Sequence, residues 1–372
     1  MKKFGLCIML LMTSLALSGF TYWLTPSATD VVFGARSGGA NIWNRNPLDV
    51  WSNPAKLGYY DKFCAGNSDL EIHNKYYDEP VSFSASYITF GLNGIGILMP
   101  MINTHSKFGY SYSETYYYPY PSWEAFEAYN YNSEFALGIN LLKFYNSYKS
   151  NELINKLEDY SDLSIGYNYD IVFYDYALSA IEIPSGQQEY MDGLGMIWRI
   201  SPLNQSNNKK LYDIKADIAA SMYYRGITSQ YDETVTTAAS IRLAWGNEYL
   251  KQFIKPKAYN FLSAFSSNLI SVYASYDNIE DDNMAWENDE YSFGYELTIL
   301  DVLSLRKGKD NDESEYNLGW GINLRYKDFI QFQMNKAEFS SKQFDDRQEI
   351  TDYMLKFDLL SLIKMINVNI SH

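Results

Sequence analysis

The stretch Ser314-Glu315-Tyr316-Asn317-Leu318-Gly319-Trp320-Gly321-Ile322-Asn323-Leu324-Arg325-Tyr326 decides the fold. Side chains along a strand alternate between two faces. One face here is Tyr316, Leu318, Trp320, Ile322, Leu324 and Tyr326, wholly apolar with an aromatic at each end. The other is Glu315, Asn317, Gly319, Gly321, Asn323 and Arg325, small or polar, with charges only at its ends. A soluble sandwich could turn such an apolar face inward. A membrane barrel repeats the pattern many times, with aromatics flanking an aliphatic band.

The repetition is present. Leu163, Ile165, Tyr167, Tyr169, Ile171 and Phe173 oppose Asp162, Ser164, Gly166, Asn168 and Asp170. Ile214, Ala216, Ile218, Ala220, Met222 and Tyr224 oppose Asp213, Lys215, Asp217, Ser221 and Arg225. Similar alternation runs through Phe135–Leu141, Ala239–Trp245, Tyr291–Ile299 and Ile330–Met334. Period-two patterning on this scale predicts strands over 65–74, 80–91, 95–111, 132–144, 161–175, 189–200, 212–225, 234–246, 267–277, 290–305, 314–327, 328–336, 351–360 and 362–371. The expected fold is therefore all-β, a transmembrane antiparallel barrel of about 14 strands. Asn93-Gly94 supplies the positive φ angles of a hairpin turn. Residues 146–160 read as helical, and 112–131, 176–188, 201–211, 278–289, 306–313 and 337–349 as loops.

Composition agrees. Of 372 residues 17% are aromatic, including 35 Tyr and 8 Trp, and Tyr suits the headgroup level of a membrane. The formal charge of −15 argues against nucleic acid as a partner. Residues 1–19 read as a secretory signal: Lys2 and Lys3, an apolar run from Leu6 to Leu15, then Ala16-Leu17-Ser18. The apolar run is short of the ~20 residues a membrane helix needs. Removing it leaves Cys64 as the one cysteine, which excludes an intramolecular disulfide.

Residues 20–62 are unlike a barrel strand. They hold Gly34-Ala35-Arg36-Ser37-Gly38-Gly39 and then Asn53-Pro54-Ala55, rich in turn formers. No Gly-Lys-Ser/Thr follows the glycines, so they are not a phosphate loop. Gly34, Ala35, Arg36, Gly38 and Gly39, followed by Trp51, Asn53, Pro54, Ala55 and Leu57, resemble the start of the FadL-like superfamily, which includes hydrophobic-compound transporters and the PorV/PorQ-type proteins of type IX secretion. Two departures stand out: Ser52 is inserted before Asn53, and Lys56 replaces a glycine. The resemblance implies that residues 20–62 pack into the lumen as a hatch, ahead of a barrel over 63–372.

Chemistry of other kinds finds little support. Only His73, His105 and His372 are available, and no serine sits in a Gly-x-Ser-x-Gly elbow, so no catalytic residue is expected. The acidic runs 277–283 and 310–315 lack the glycine of a twelve-residue calcium loop, so neither a metal site nor a cofactor is expected. The lumen-facing charges are Glu134, Asp170, Asp213, Lys215, Asp217, Arg225, Arg242, Glu296, Glu315 and Arg325. Their mixed signs suggest pairing with one another or with the hatch, where Arg36 is the nearest cation, because an unpaired buried charge is costly. The resulting expectation is a monomer in the cell outer membrane, in contact with lipid and lipopolysaccharide. It would act as a FadL-like channel for hydrophobic small molecules, as a barrel serving secreted proteins in type IX secretion or surface attachment, or as a structural outer-membrane protein.

Overall fold

The structure is a computed structural model and describes residues 42, 53–59, 63–73, 81–100, 106–107, 128–149, 152–176, 188–203, 213–227, 234–281, 290–310, 317–326, 330–341 and 344–358. Fifteen strands follow one another in a single antiparallel sheet. They are β1 (Phe63–His73), β2 (Val81–Leu92), β3 (Ile95–Pro100), β4 (Ser106–Lys107), β5 (Ala128–Asn140), β6 (Ser161–Tyr176), β7 (Gln188–Ile200) and β8 (Ile214–Arg225). The rest are β9 (Thr234–Gly246), β10 (Asn268–Asp281), β11 (Glu290–Ile299), β12 (Leu303–Asp310), β13 (Asn317–Tyr326), β14 (Ile330–Ser341) and β15 (Phe344–Asp358). Apart from β4, which pairs with β2 while β3 pairs with β5, each pairs with its neighbours in sequence, and β1 pairs with both β2 and β15, so the sheet closes on itself. The two-residue β4 runs on β2 beyond the end of β3, and the two form one stave. The barrel therefore has 14 staves, as the sequence pattern anticipates. Closure leaves no free edge, which the bilayer requires because it offers no water to an unpaired backbone group.

The molecule is inside out relative to a soluble protein. Leu194, Trp198, Ile218, Ile241, Leu243, Val272, Leu305, Leu318 and Leu324 are all about half exposed on the outer wall. Ser164, Asn168, Asp217, Ser240, Ser292, Asn317 and Asn335 are buried on the inner one. So much contiguous exposed apolar surface is not found on soluble monomers and marks a lipid-facing belt. In β13, Leu318, Leu324 and Tyr326 face out while Asn317 and Gly321 are buried, as the alternation predicts.

Several boundaries differ from expectation. The stretch 290–305 is not one strand but the β11–β12 hairpin, turning at Leu300 and Asp301, both with positive φ (55° and 53°). Neither residue announces a turn as Asn-Gly does, and the apolar run hides it. The Asp301 carboxylate holds the turn by accepting from the backbone of Ser267 and Asn268 and from the Asn268 amide. The stretches 306–313 and 337–349, expected as loops, are largely strand. Here the sequence carries no regular polar–apolar alternation to signal a strand, yet pairing continues through Glu338 opposite Glu349 and Ser340 opposite Arg347. Stave 14 is β15, which closes on β1; the expected strand 362–371 lies outside the described residues. The helix expected over 146–160 is two, α1 (Leu141–Tyr148) and α2 (Glu152–Tyr160), and α3 (Pro256–Phe265) was not anticipated. Asn140 caps α1 through its side-chain oxygen, which accepts from the Lys143 N–H.

Candidate functional site

The site is built where Asn53–Tyr59 meets the inner wall. Pro54–Tyr59 forms a short 3-10 turn, and Pro54 to Gly58 are buried. Pro54 sets the first φ, and the Asn53 side-chain oxygen accepts from the Ala55 N–H at 3.0 Å, which tightens the entry. The Asn53 amide nitrogen donates to the backbone oxygens of Met196 (3.3 Å) and Met222 (3.1 Å), register partners in β7 and β8. Ser164 in β6 donates to the Ala55 carbonyl at 2.6 Å.

The wall is shaped to receive this turn. Gly91, Gly96, Gly138, Gly166 and Gly195 are successive register partners across β2, β3, β5, β6 and β7, a row of glycines running around the barrel. A Cβ at Gly96 would overlap the Leu57 carbonyl, and one at Gly138 would lie 2.6 Å from the Gly58 nitrogen. At Gly166 it would overlap Ala55 and Pro54, and at Gly195 the Asn53 side chain. The missing side chains let the backbone of the turn lie against the backbone of the sheet. This row is the feature sequence reasoning missed: Gly138 and Gly166 stand on the inward parity of their strands, but only the register shows that they line up.

Tyr59 fixes the far end of the turn. Its hydroxyl donates to Asp162 at 2.6 Å, and the Arg199 guanidinium lies 3.5 Å from its ring centre. Asp162 and Arg199 are themselves opposite one another in β6 and β7. Burial raises the Tyr59 phenol well above its ordinary range, Arg199 opposes the shift and Asp162 adds to it, so Tyr59 remains a neutral donor. Arg199 also donates to the Ile42 carbonyl at 2.6 Å. Ile42 and Ala55 pack with Ile197, Ala219 and Ala238 from the wall, and Tyr59 packs against the group, making an apolar cluster on the inner face.

Two pairs of wall charges meet among the described residues. Asp217 and Arg242 face each other across β8 and β9 at 2.6 Å, and Ser201 also donates to Asp217. Glu296 and Arg306 do the same across β11 and β12 at 3.1 Å, with Arg306 reaching Asn335. Arg306 and Arg199 were not among the expected lumen charges, because Arg306 follows the unrecognised turn. Asp213 is not a strand residue. It sits at φ 49° below β8, where its carboxylate accepts from the Glu248 N–H. Lys215 donates to Asn268 and Arg325 to Ser267. Arg225 ends β8 opposite Gly193. Gly34, Ala35, Arg36, Gly38, Gly39 and Glu315 lie outside the described residues, as do the side chains of Glu134 and Asp170. Arg242→Ala would leave Asp217 without its strongest partner, and a charged hydrogen bond is worth about 1.5–3 kcal/mol. Denaturant unfolding in lipid vesicles should show a loss of that order, with Arg242→Lys losing less.

No protein-family model matches the chain, and neither does any curated protein sequence. Among solved structures, the toluene transporter TbuX of Ralstonia pickettii is similar over 92% of this chain and 98% of its own, with 9% identity and a TM-score of 0.42. The CymD monoaromatic hydrocarbon channel is similar over 87% and 96%, with 9% identity and a TM-score of 0.45. The toluene transporter TodX of Pseudomonas putida is similar over 92% and 97%, with 11% identity and a TM-score of 0.37.

Proposed function

We propose that this outer-membrane-type barrel is a FadL-like channel for hydrophobic small molecules, in which residues 20–62 act as a luminal hatch. The observation that carries this reading is the apolar cluster of Ile42, Ala55, Ile197, Ala219 and Ala238 between the inserted segment and the wall. A lumen serving only water and ions has no use for buried aliphatics at this point. A purely structural barrel would not need four aligned glycines to seat one turn. Two acid–base pairs of the inner wall, Asp217 with Arg242 and Glu296 with Arg306, are closed on each other and are not presented to a passing ion. The segment functions as a stopper held by a few replaceable contacts, and the reading needs neither a catalytic residue nor a cofactor.

Deleting residues 34–57 tests this. The barrel should still fold, judged by its sheet signal and heat-dependent gel mobility. Conductance in planar bilayers and uptake of a hydrophobic dye into vesicles should both rise. Unchanged values for both would remove the hatch and the channel reading together.

A further inference from the structure

The loop between β9 and β10 is built rather than slack. A 3-10 turn (Glu248–Gln252) leads into α3, which Pro256 opens at its first position. The base is fixed by Asn247, 3% exposed, which donates to the Ser266 carbonyl and accepts from the Tyr259 hydroxyl. Yet Phe253 and Phe261 stand 65% and 71% exposed. Residues 247–267 carry three lysines, Lys251, Lys255 and Lys257, against the single acid Glu248, a net charge of +2 on a chain of −15. Leu141–Tyr160 also exposes Tyr148 and Leu153, but its three lysines are matched by three acids.

The position of α3 connects it to the lipid belt. Phe261 packs on Phe265 with ring centres 5.1 Å apart, and Phe265 packs on Tyr326 at 5.6 Å. Tyr326 ends β13 on the outward face, at the same end of the barrel as the outward Trp198 and Trp245 near the ends of β7 and β9. Such an aromatic girdle marks where hydrocarbon gives way to headgroups. The ladder Tyr326–Phe265–Phe261 therefore continues the lipid-facing wall onto the helix. Lys257, one turn from Phe261, puts a cation at the level where phosphates lie.

We propose that α3 with the turn before it is an interfacial anchor, which inserts Phe253 and Phe261 at the headgroup boundary and sets Lys255 and Lys257 against anionic phospholipid. This is the arrangement of a helix lying in the plane of a membrane surface. The inference rests on the membrane-barrel reading but not on the channel. The anchor pins the rim of the barrel at the end where β1 begins and β15 stops, next to β8 and β9, whose inner faces meet the seated segment.

The test uses the full chain with Cys7→Ser and Cys64→Ser, folded into phosphatidylcholine vesicles with and without phosphatidylglycerol. A nitroxide is placed in turn through Phe261→Cys, Phe253→Cys, Ser263→Cys and Ile241→Cys, and folding of each variant is checked by heat-dependent gel mobility. Labels at 261, 253 and 241 should meet oxygen several-fold more often than a water-soluble nickel chelate, and the label at 263 the reverse. Phosphatidylglycerol should raise the thermal midpoint of the intact chain, and Lys255→Gln with Lys257→Gln should abolish that rise. Labels at 261 and 253 open to nickel while 241 is immersed would overturn the anchor and leave the barrel standing; 241 open to nickel would overturn the membrane reading. Labels at 261 shielded from both reagents, with cross-linked dimers, would make the face a contact between copies and refute the lipid assignment. A phosphatidylglycerol effect that survives the lysine changes would refute the headgroup contact.

Discussion

Replacing Ile241 by arginine should cost the folded barrel roughly 2–4 kcal/mol, the penalty for a cation at the bilayer midplane on the outer wall. Ile241 is 51% exposed and has Ile218 and Ala274 as its register partners. Its register partners are both apolar, so the charge must either thin the bilayer or drag in water. Ile270→Arg is the matched control. Ile270 is also outward and about half exposed, but it sits opposite Trp245, at the girdle. There the guanidinium can reach headgroups, and the cost falls to about 0–1 kcal/mol. Folding titrations into vesicles compare the two. Equal penalties would mean that depth does not matter, and the outer wall would not be a lipid face.

The same physics explains which parts of the fold were legible. Where a stave crosses lipid, one face must be apolar and the other need not be, and strands such as 161–176 and 234–246 stand out in the sequence almost to the residue. Beyond the lipid neither face needs to be apolar. β14 and β15 then continue with Glu338, Ser340, Arg347 and Glu349, which satisfy the backbone ladder without leaving any alternation to read. The count of 14 staves came out right through two offsetting differences: 290–305 holds two strands, and 362–371 lies outside the described residues. In the candidate site, Asn53-Pro54-Ala55 was legible because its turn chemistry is local. The acid–base partners were half legible, since parity gives the face but not the register that sets Asp217 beside Arg242. Arg199 and Tyr59 could not be placed without the tertiary contact that joins them.

Gly166→Ala should dislodge the seated turn while leaving the barrel closed. In the strand itself alanine is no worse than glycine, and β6 keeps every backbone pairing with β5 and β7. The added Cβ meets Ala55 and Pro54, whose backbone cannot swing away as a flexible side chain would. Overpacking of this kind costs roughly 1–3 kcal/mol, which here falls on the seated state alone, so the ratio of seated to unseated protein should drop by about one to two powers of ten. Gly195→Ala should act in the same direction by displacing the Asn53 side chain, whose amide ties β7 to β8. Asn53→Ala removes those bonds from the other side. All three should raise conductance and dye uptake toward the level of the protein lacking residues 34–57. In that shortened protein Gly166→Ala should change nothing, because the atoms it collides with are gone; the two changes must fail to add if they act on one contact. An increase in permeability from Gly166→Ala that persists in the shortened protein would locate the effect in the wall rather than the seat. A loss of stability with permeability unchanged would make the glycine row a packing device, with the turn a part of the barrel's core and not its stopper.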